Sequence, residues 1–285
     1  MAIVGSSVVA GKLIVSSFPI FLASELRFIV ATIILIPTLL LREKRFPTIK
    51  YKDFILLFIQ ALTGVFLFNI FMLYGLKYTT AVQAGIITST LPAVIGFASY
   101  LFLKEKLSSR KIVGIIMAVL GVLCINIVGG EAEKMNSLFG NLLIFGAVVG
   151  ETLFITLGKS VSERMSPLSI STMMSILGVF MFLPFAIYEA KHFDFLSVGR
   201  WDWMNILYFG IVVTVLAFLL MYEGLSKVSA SSAGVFTSIL PVSAVLLSFI
   251  ILKEEIFLSH LLGILLVMIS ICFISIDSPE NNKAY

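Results

Sequence analysis

The sequence predicts an all-α membrane protein whose ten transmembrane helices form two inverted five-helix repeats. Three observations predict it. The 285-residue chain is 59% hydrophobic and 13% charged, with a mean hydropathy of +1.10, far from the composition of a soluble domain. Its apolar runs are about 20 residues long, the length a helix needs to cross roughly 30 Å of hydrocarbon, whereas barrel strands would show as shorter alternating segments. The chain also repeats itself: between 81 and 105, 11 of 25 positions recur at an offset of 149 with no gap.

Taken in order, the spans run at about 2–17, 20–41, 54–77, 80–103, 108–128, 137–158, 167–188, 203–226, 229–252 and 257–277. The first is short. The fourth and ninth are the best-matched pair: Thr88, Ser89, Leu91 and Pro92 recur as Thr237, Ser238, Leu240 and Pro241, and Leu103-Lys104-Glu105 recurs as Leu252-Lys253-Glu254. In the fifth, Gly114 and Gly121 lie two turns apart and offer a close-packing face. In the sixth, Gly146 and Gly150 form a small-xxx-small pair that admits another helix. Residues 1–130 and 137–277 are read as the two repeats and 278–285 as a polar tail.

Basic residues set the orientation. One side of the predicted map holds 13 Lys and Arg, in the loops around 42–52, 104–111, 159–164 and 227 and in the tail; the other holds 5. The richer side is expected in the cytoplasm, together with both termini. The net charge of +4 is therefore a topology signal and not a sign of a nucleic-acid partner. Five helices per repeat turn the second repeat upside down relative to the first. Inverted repeats of this kind place a site near the midplane and let the two sides open in turn. No cleavable signal peptide is expected, because no basic segment precedes the first apolar run.

The stretch Leu76-Lys77-Tyr78-Thr79-Thr80-Ala81, with Leu91-Pro92, Leu103-Lys104-Glu105 and Gly114, resembles the EamA-type module of the drug/metabolite transporter superfamily. With the looser copy at 224–276, the resemblance covers nearly the whole chain. It implies ten helices in two five-helix repeats and movement of a small metabolite. For the substrate it suggests amino acids and their relatives, moved outward.

Several residues could carry that chemistry. Pro92 and Pro241 each remove a backbone donor and crowd the carbonyl four residues earlier, of Thr88 and Thr237. Both helices are expected to kink and expose polar backbone beside Ser89 and Ser238, either lining a cavity or satisfied by the Thr hydroxyl. Charges at bilayer depth are costly unless paired or hydrated. Lys12, Glu25 and Arg27 are expected either to form an outer ion-pair cluster or to let Lys12 or Arg27 meet a carboxylate or phosphate of the substrate. Glu223 is expected to snorkel or to pair with Lys227 at i+4. Glu151, just past the middle of the sixth span, is a candidate proton carrier or substrate-amine ligand. Asn69, Tyr74, Gln83, Thr152 and Tyr222 could line the same cavity or simply bond neighbouring helices.

The expected function is secondary transport of a small polar metabolite across the plasma or inner membrane, with proton coupling and facilitated diffusion both open. The expected partners are that solute and the bilayer, as a monomer or a homodimer. No cofactor and no metal are expected: Cys124 and Cys272 lie inside apolar runs, and the two histidines, His192 and His260, show no ligand spacing. The same scarcity of nucleophile–base pairs argues against an enzyme. A structural or sensory membrane protein is the alternative, but it would have little reason for inverted repeats with matched prolines.

Overall fold

A computed structural model describes residues 1–4, 6, 10, 14, 17–44, 46–47, 49–78, 87–88, 90–127, 138–247, 249–250 and 258–276. Every regular element among them is helical. In chain order these are α1 (Ile20–Glu43), α2 (Tyr51–Ala61), the π-helical segment π1 (Leu62–Leu67), α3 (Phe68–Tyr78), α4 (Leu91–Leu103), α5 (Ser109–Ile127), α6 (Leu138–Ser162) and α7 (Pro167–Ala190). There follow α8 (Arg200–Tyr208), the second π segment π2 (Phe209–Leu216), α9 (Ala217–Lys227), α10 (Ala230–Phe236), α11 (Ile239–Leu247) and α12 (Leu258–Ile276). Among the described residues, five stretches are long and apolar enough to cross a membrane: Ile20–Glu43, Tyr51–Met72, Leu138–Ser162, Pro167–Ala190 and Arg200–Lys227. Leu91–Leu103 and Leu261–Phe273 are shorter apolar helices.

Local chemistry sets the helix ends. Ser166 caps α7, its hydroxyl accepting from the Ser169 amide at 3.0 Å, with Pro167 at the first helical position. Ser229 caps α10 in the same way through the Ser232 amide at 3.2 Å. α1 and α4 both stop at a lysine in the left-handed region, Lys44 at φ 57° and Lys104 at φ 55°, the conformation that closes a helix C-terminus.

The packing separates an outer apolar surface from a protein core. Ile33, Leu41, Phe97, Phe102 and Leu265 point outward and are exposed, as side chains facing lipid must be. The core holds a phenylalanine cluster. Phe28 stacks on Phe182 with ring centroids 5.8 Å apart, and Phe66 meets Phe182 edge-on at 5.3 Å. α1 and α7 run antiparallel over their whole length. Glu189 near the end of α7 accepts from the Leu22 amide at the start of α1 at 2.7 Å, while Glu43 at the end of α1 accepts from Ser166 and, at 2.8 Å, from Ser169. The expected close approaches are present. A Cβ on Gly121 would sit 2.9 Å from the Gly263 carbonyl oxygen, where α5 meets α12, and a Cβ on Gly150 would sit 2.5 Å from that of Thr63.

The third and eighth spans are not plain α-helices. Each widens into a π segment, and π1 moved on by 149 positions falls within the longer π2. Thr63 donates to the Ile59 carbonyl at 2.7 Å and Thr214 to that of Phe209 at 3.0 Å, absorbing part of the disturbed ladder.

The Gly150 contact predicts an asymmetric mutational response. Gly150→Ala should lower thermal stability by about 1–3 kcal/mol, the cost of overpacking against backbone that cannot yield. Gly224→Ala, whose Cβ meets nothing within 4 Å, should be neutral or slightly stabilising. Thermal unfolding in detergent, followed by tryptophan fluorescence, checks both.

Candidate functional site

The polar interior is built around α6. Glu151 is half-buried on that helix, beside the place where π1 presses on Gly150, and meets no hydrogen-bond or ion-pair partner among the described residues. One turn on, the Phe154 carbonyl accepts from Gln60 Nε2 at 2.7 Å, and the same nitrogen donates to the Tyr222 hydroxyl at 2.9 Å. Gln60 and Tyr222 are fully buried. Gly158 leaves room for them, since a Cβ there would lie 2.6 Å from Gln60 Nε2. This knot ties α2, α6 and α9 together. Gln60 was not among the sequence candidates, because one amide in an apolar run carries no periodic signal.

Glu25 and Arg27 do not form the expected ion pair. They are two residues apart on α1, about 200° around the helix, so their side chains leave on different faces. Glu25 is 3% exposed, and neither carboxylate oxygen has a partner among the described residues. Arg27 turns toward π2 instead. Its guanidinium lies 4.6 Å from the Phe28 ring centroid and 5.2 Å from that of Phe209, an arrangement that stabilises a desolvated cation. Lys12, Ser89 and Gln83 lie outside the described residues.

The prolines break their helices. α10 ends at Phe236, Thr237 and Ser238 form a turn, and α11 restarts at Ile239 with Pro241 in its first turn. In the first copy Thr88 precedes a turn at Thr90, and α4 restarts at Leu91 with Pro92 in its first turn. The expected mid-helix kink is thus a break a few residues earlier. There the proline's missing N–H is no loss, because the first amides of a helix have no intrahelical acceptor. Thr237 donates to the Gly234 carbonyl at 2.6 Å, and the Ser238 hydroxyl is buried without a partner among the described residues.

Other candidates fall outside the interior or turn to local work. Glu223 and Lys227 form the expected i,i+4 pair at 2.5 Å, both exposed. Asn69 donates to the Val65 carbonyl at 2.5 Å, and Thr152 to that of Val148 at 2.8 Å. Tyr74 is exposed.

One end of the bundle, which carries most of the basic loops, is laced by polar contacts. The Glu105 carboxylate accepts from the Ala230 amide at 2.7 Å, from the Ser231 amide at 3.1 Å and from the Ser231 hydroxyl at 2.7 Å. Lys111 donates to Ser229 at 3.0 Å and Ser231 at 3.3 Å. Arg164 pairs with Asp53 at 2.9 Å, and Lys159 reaches the Leu225 carbonyl at 2.9 Å.

The EamA-like transporter family matches residues 1–127 and again 138–276. The chain belongs to that family. Two EamA-like segments in tandem account for nearly all of it. A Bacillus subtilis protein described as the uncharacterized transporter YetK is 47% identical over 287 residues, covering 100% of this chain and 87% of its own length. An uncharacterized transporter of Archaeoglobus fulgidus is 30% identical over 256 residues, covering 89% and 87%. A WAT1-related protein of Arabidopsis thaliana is 24% identical and covers 85% of this chain. A solved crystal structure superposes with a TM-score of 0.82, covering 98% of this chain and 95% of its own at 15% identity, and so shares the fold. Membership makes this EamA-like protein a multi-pass membrane transporter of a small molecule and not an enzyme.

Proposed function

We propose that the chain is a secondary transporter that exports a small polar metabolite, an amino acid or a relative, by alternating access between two inverted five-helix repeats. The observation that carries this reading is the turn followed by a helix start with proline in its first turn, found in both copies, at Thr90–Pro92 and at Thr237–Pro241. Interrupted backbone at membrane depth is tolerated only where it is buried in protein or lines a cavity, and it marks binding sites in transporters built from inverted repeats. The repeat reading draws further support from matched elements: α1 and α7 are both 24 residues long, α5 and α12 both 19. Within the pathway Glu151 takes up a proton or binds a substrate amine, and Arg27, cradled by Phe28 and Phe209, faces an anionic group.

The basic end is cytoplasmic in this reading, with both termini inside the plasma or inner membrane. In a variant lacking Cys124 and Cys272, single cysteines at Ser108 and Ser197 report the orientation. An impermeant thiol reagent on intact cells should label position 197 and spare 108; labelling of 108 alone would reverse the map.

Glu151→Gln separates the two carboxylate roles. A proton carrier so changed should lose uphill, pH-driven transport and still exchange substrate for substrate, whereas an amine ligand should lose both. Glu25→Gln, run in parallel, asks the same of a second carboxylate without a partner among the described residues, and Glu223→Gln is the surface control. Full pH-driven transport in Glu151→Gln would remove Glu151 from the mechanism.

A further inference from the structure

We propose that the Glu105 carboxylate is a latch that holds the basic end of the transport pathway closed, and that its release from Ala230 and Ser231 opens that end. The proposal rests on the transport reading above and adds to it a named closing contact.

The geometry of the arm comes first. α4 ends in a left-handed residue, Lys104, and the Glu105 amide donates back to the Ser99 carbonyl at 3.2 Å. This turn reverses the chain and fixes the Glu105 backbone on α4, so the carboxylate is presented at a set position. Its partners lie 125 residues away, in the other family-matched segment. Three donors converge on the two oxygens: two amides and the Ser231 hydroxyl. Lys111, at the start of α5, also reaches Ser231, and Ser229 beside it.

The receiving element is suited to move. α10 is seven residues long and ends at the Thr237–Ser238 turn. A short rigid piece bounded by a turn can swing about that turn, provided its other end is free. That other end follows α9 after the extended residues Val228 and Ser229, and the side-chain contacts that hold it are those of Glu105 and Lys111. Gly234 of α10 lies against Ile95 of α4, where a Cβ would sit 2.7 Å from the Ile95 side chain, so the two pieces touch along their length as well as at the latch. The remaining ties at this end differ in kind. Arg164, which pairs with Asp53, is exposed, with half of its side-chain surface accessible, and the Glu43 contacts join the uninterrupted helices α1 and α7. Only the Glu105 contact, among the ties described, joins two segments that each abut a break.

Spin labels at Lys106→Cys and Lys227→Cys, both exposed positions, in a variant lacking Cys124 and Cys272, give the width of the basic end by pulsed electron paramagnetic resonance. With Glu105 intact a single short distance should dominate. Glu105→Ala should raise a longer-distance population about tenfold or more, the effect of losing charge-assisted hydrogen bonds on a two-state equilibrium. Ser231→Ala should do so to a lesser degree. Glu163→Gln, which removes only the exposed partner of Lys159, should leave the distribution alone. An unchanged distribution in Glu105→Ala overturns the latch, even if the variant is less heat-stable, because that marks a static brace. If Glu105→Ala fails to fold, Ser231→Ala and Lys111→Met are decisive, and no change in either overturns the proposal. The distances need no substrate. A shift in Glu105→Ala without solute movement would therefore uphold the latch and sink the transport reading instead.

Discussion

Carboxylates from one EamA-like segment complete the helix starts of the other, and the arrangement of the bundle depends on this exchange. Glu105 accepts from the first amides of α10 and Glu189 from the Leu22 amide near the start of α1, while Glu43 accepts from the hydroxyls of Ser166 and Ser169 at the start of α7. The first amides of any helix lack intrahelical acceptors, and where a helix start is buried, as at Ala230 and Ser231, water cannot supply them. A carboxylate supplies the acceptors and favours the N-terminal end electrostatically. Hydrogen bonds to a charged group contribute about 1.5–3 kcal/mol each, and a buried donor left unmade costs a similar amount. Two segments bound only by apolar contact would gain little over contact with lipid, since hydrocarbon solvates apolar side chains as well as protein does. The polar exchange therefore sets the register in which the two segments meet.

From that register follow the crossings around α6. α6 is held against π1 at Gly150 and against α2 and α9 through Gln60 and Tyr222, with Glu151 half-buried beside Gly150. The π segments lie at equivalent places in the two matched segments and re-aim their helices where α6 and α1 press on them. Such insertions disturb regular hydrogen bonding and persist where function or packing compensates them. Here both are compensated by threonine hydroxyls.

Much of the fold was legible in the sequence, for clear physical reasons. Lipid-length apolar runs give the helices: the run at 20–41 is α1 and that at 167–188 is α7, each within two residues of its expected end. Small-residue spacing found the close contacts at Gly121 and Gly150. The Glu223–Lys227 pair followed from helical spacing alone. What failed was what hydropathy cannot carry. π segments have the same composition as α-helix. Pro92 and Pro241 reveal that a helix is disturbed, but not that the chain turns at the threonine and serine before them. Glu25 and Arg27 were expected either in a cluster with Lys12 or, for the two cations, against substrate; i,i+2 spacing sets them on different faces, and Lys12 lies outside the described residues. Gln60 and Tyr222 are 162 residues apart, and the partners of Glu105 are 125 away. The sequence shows only that Leu103-Lys104-Glu105 recurs at 252–254; the fold reveals what Glu105 touches.

The central claim is that this EamA-like protein moves a small polar solute by exposing one site to each side in turn. Solute counterflow tests it most directly. Proteoliposomes holding purified protein are loaded with one unlabelled candidate at high concentration, diluted into a trace of the same labelled solute, and followed in time across a panel of amino acids and related metabolites. The account predicts a transient, saturable overshoot of label for at least one solute, absent from protein-free vesicles. Linear, non-saturable entry without overshoot for the whole panel, by protein that remains folded in the bilayer, would contradict it.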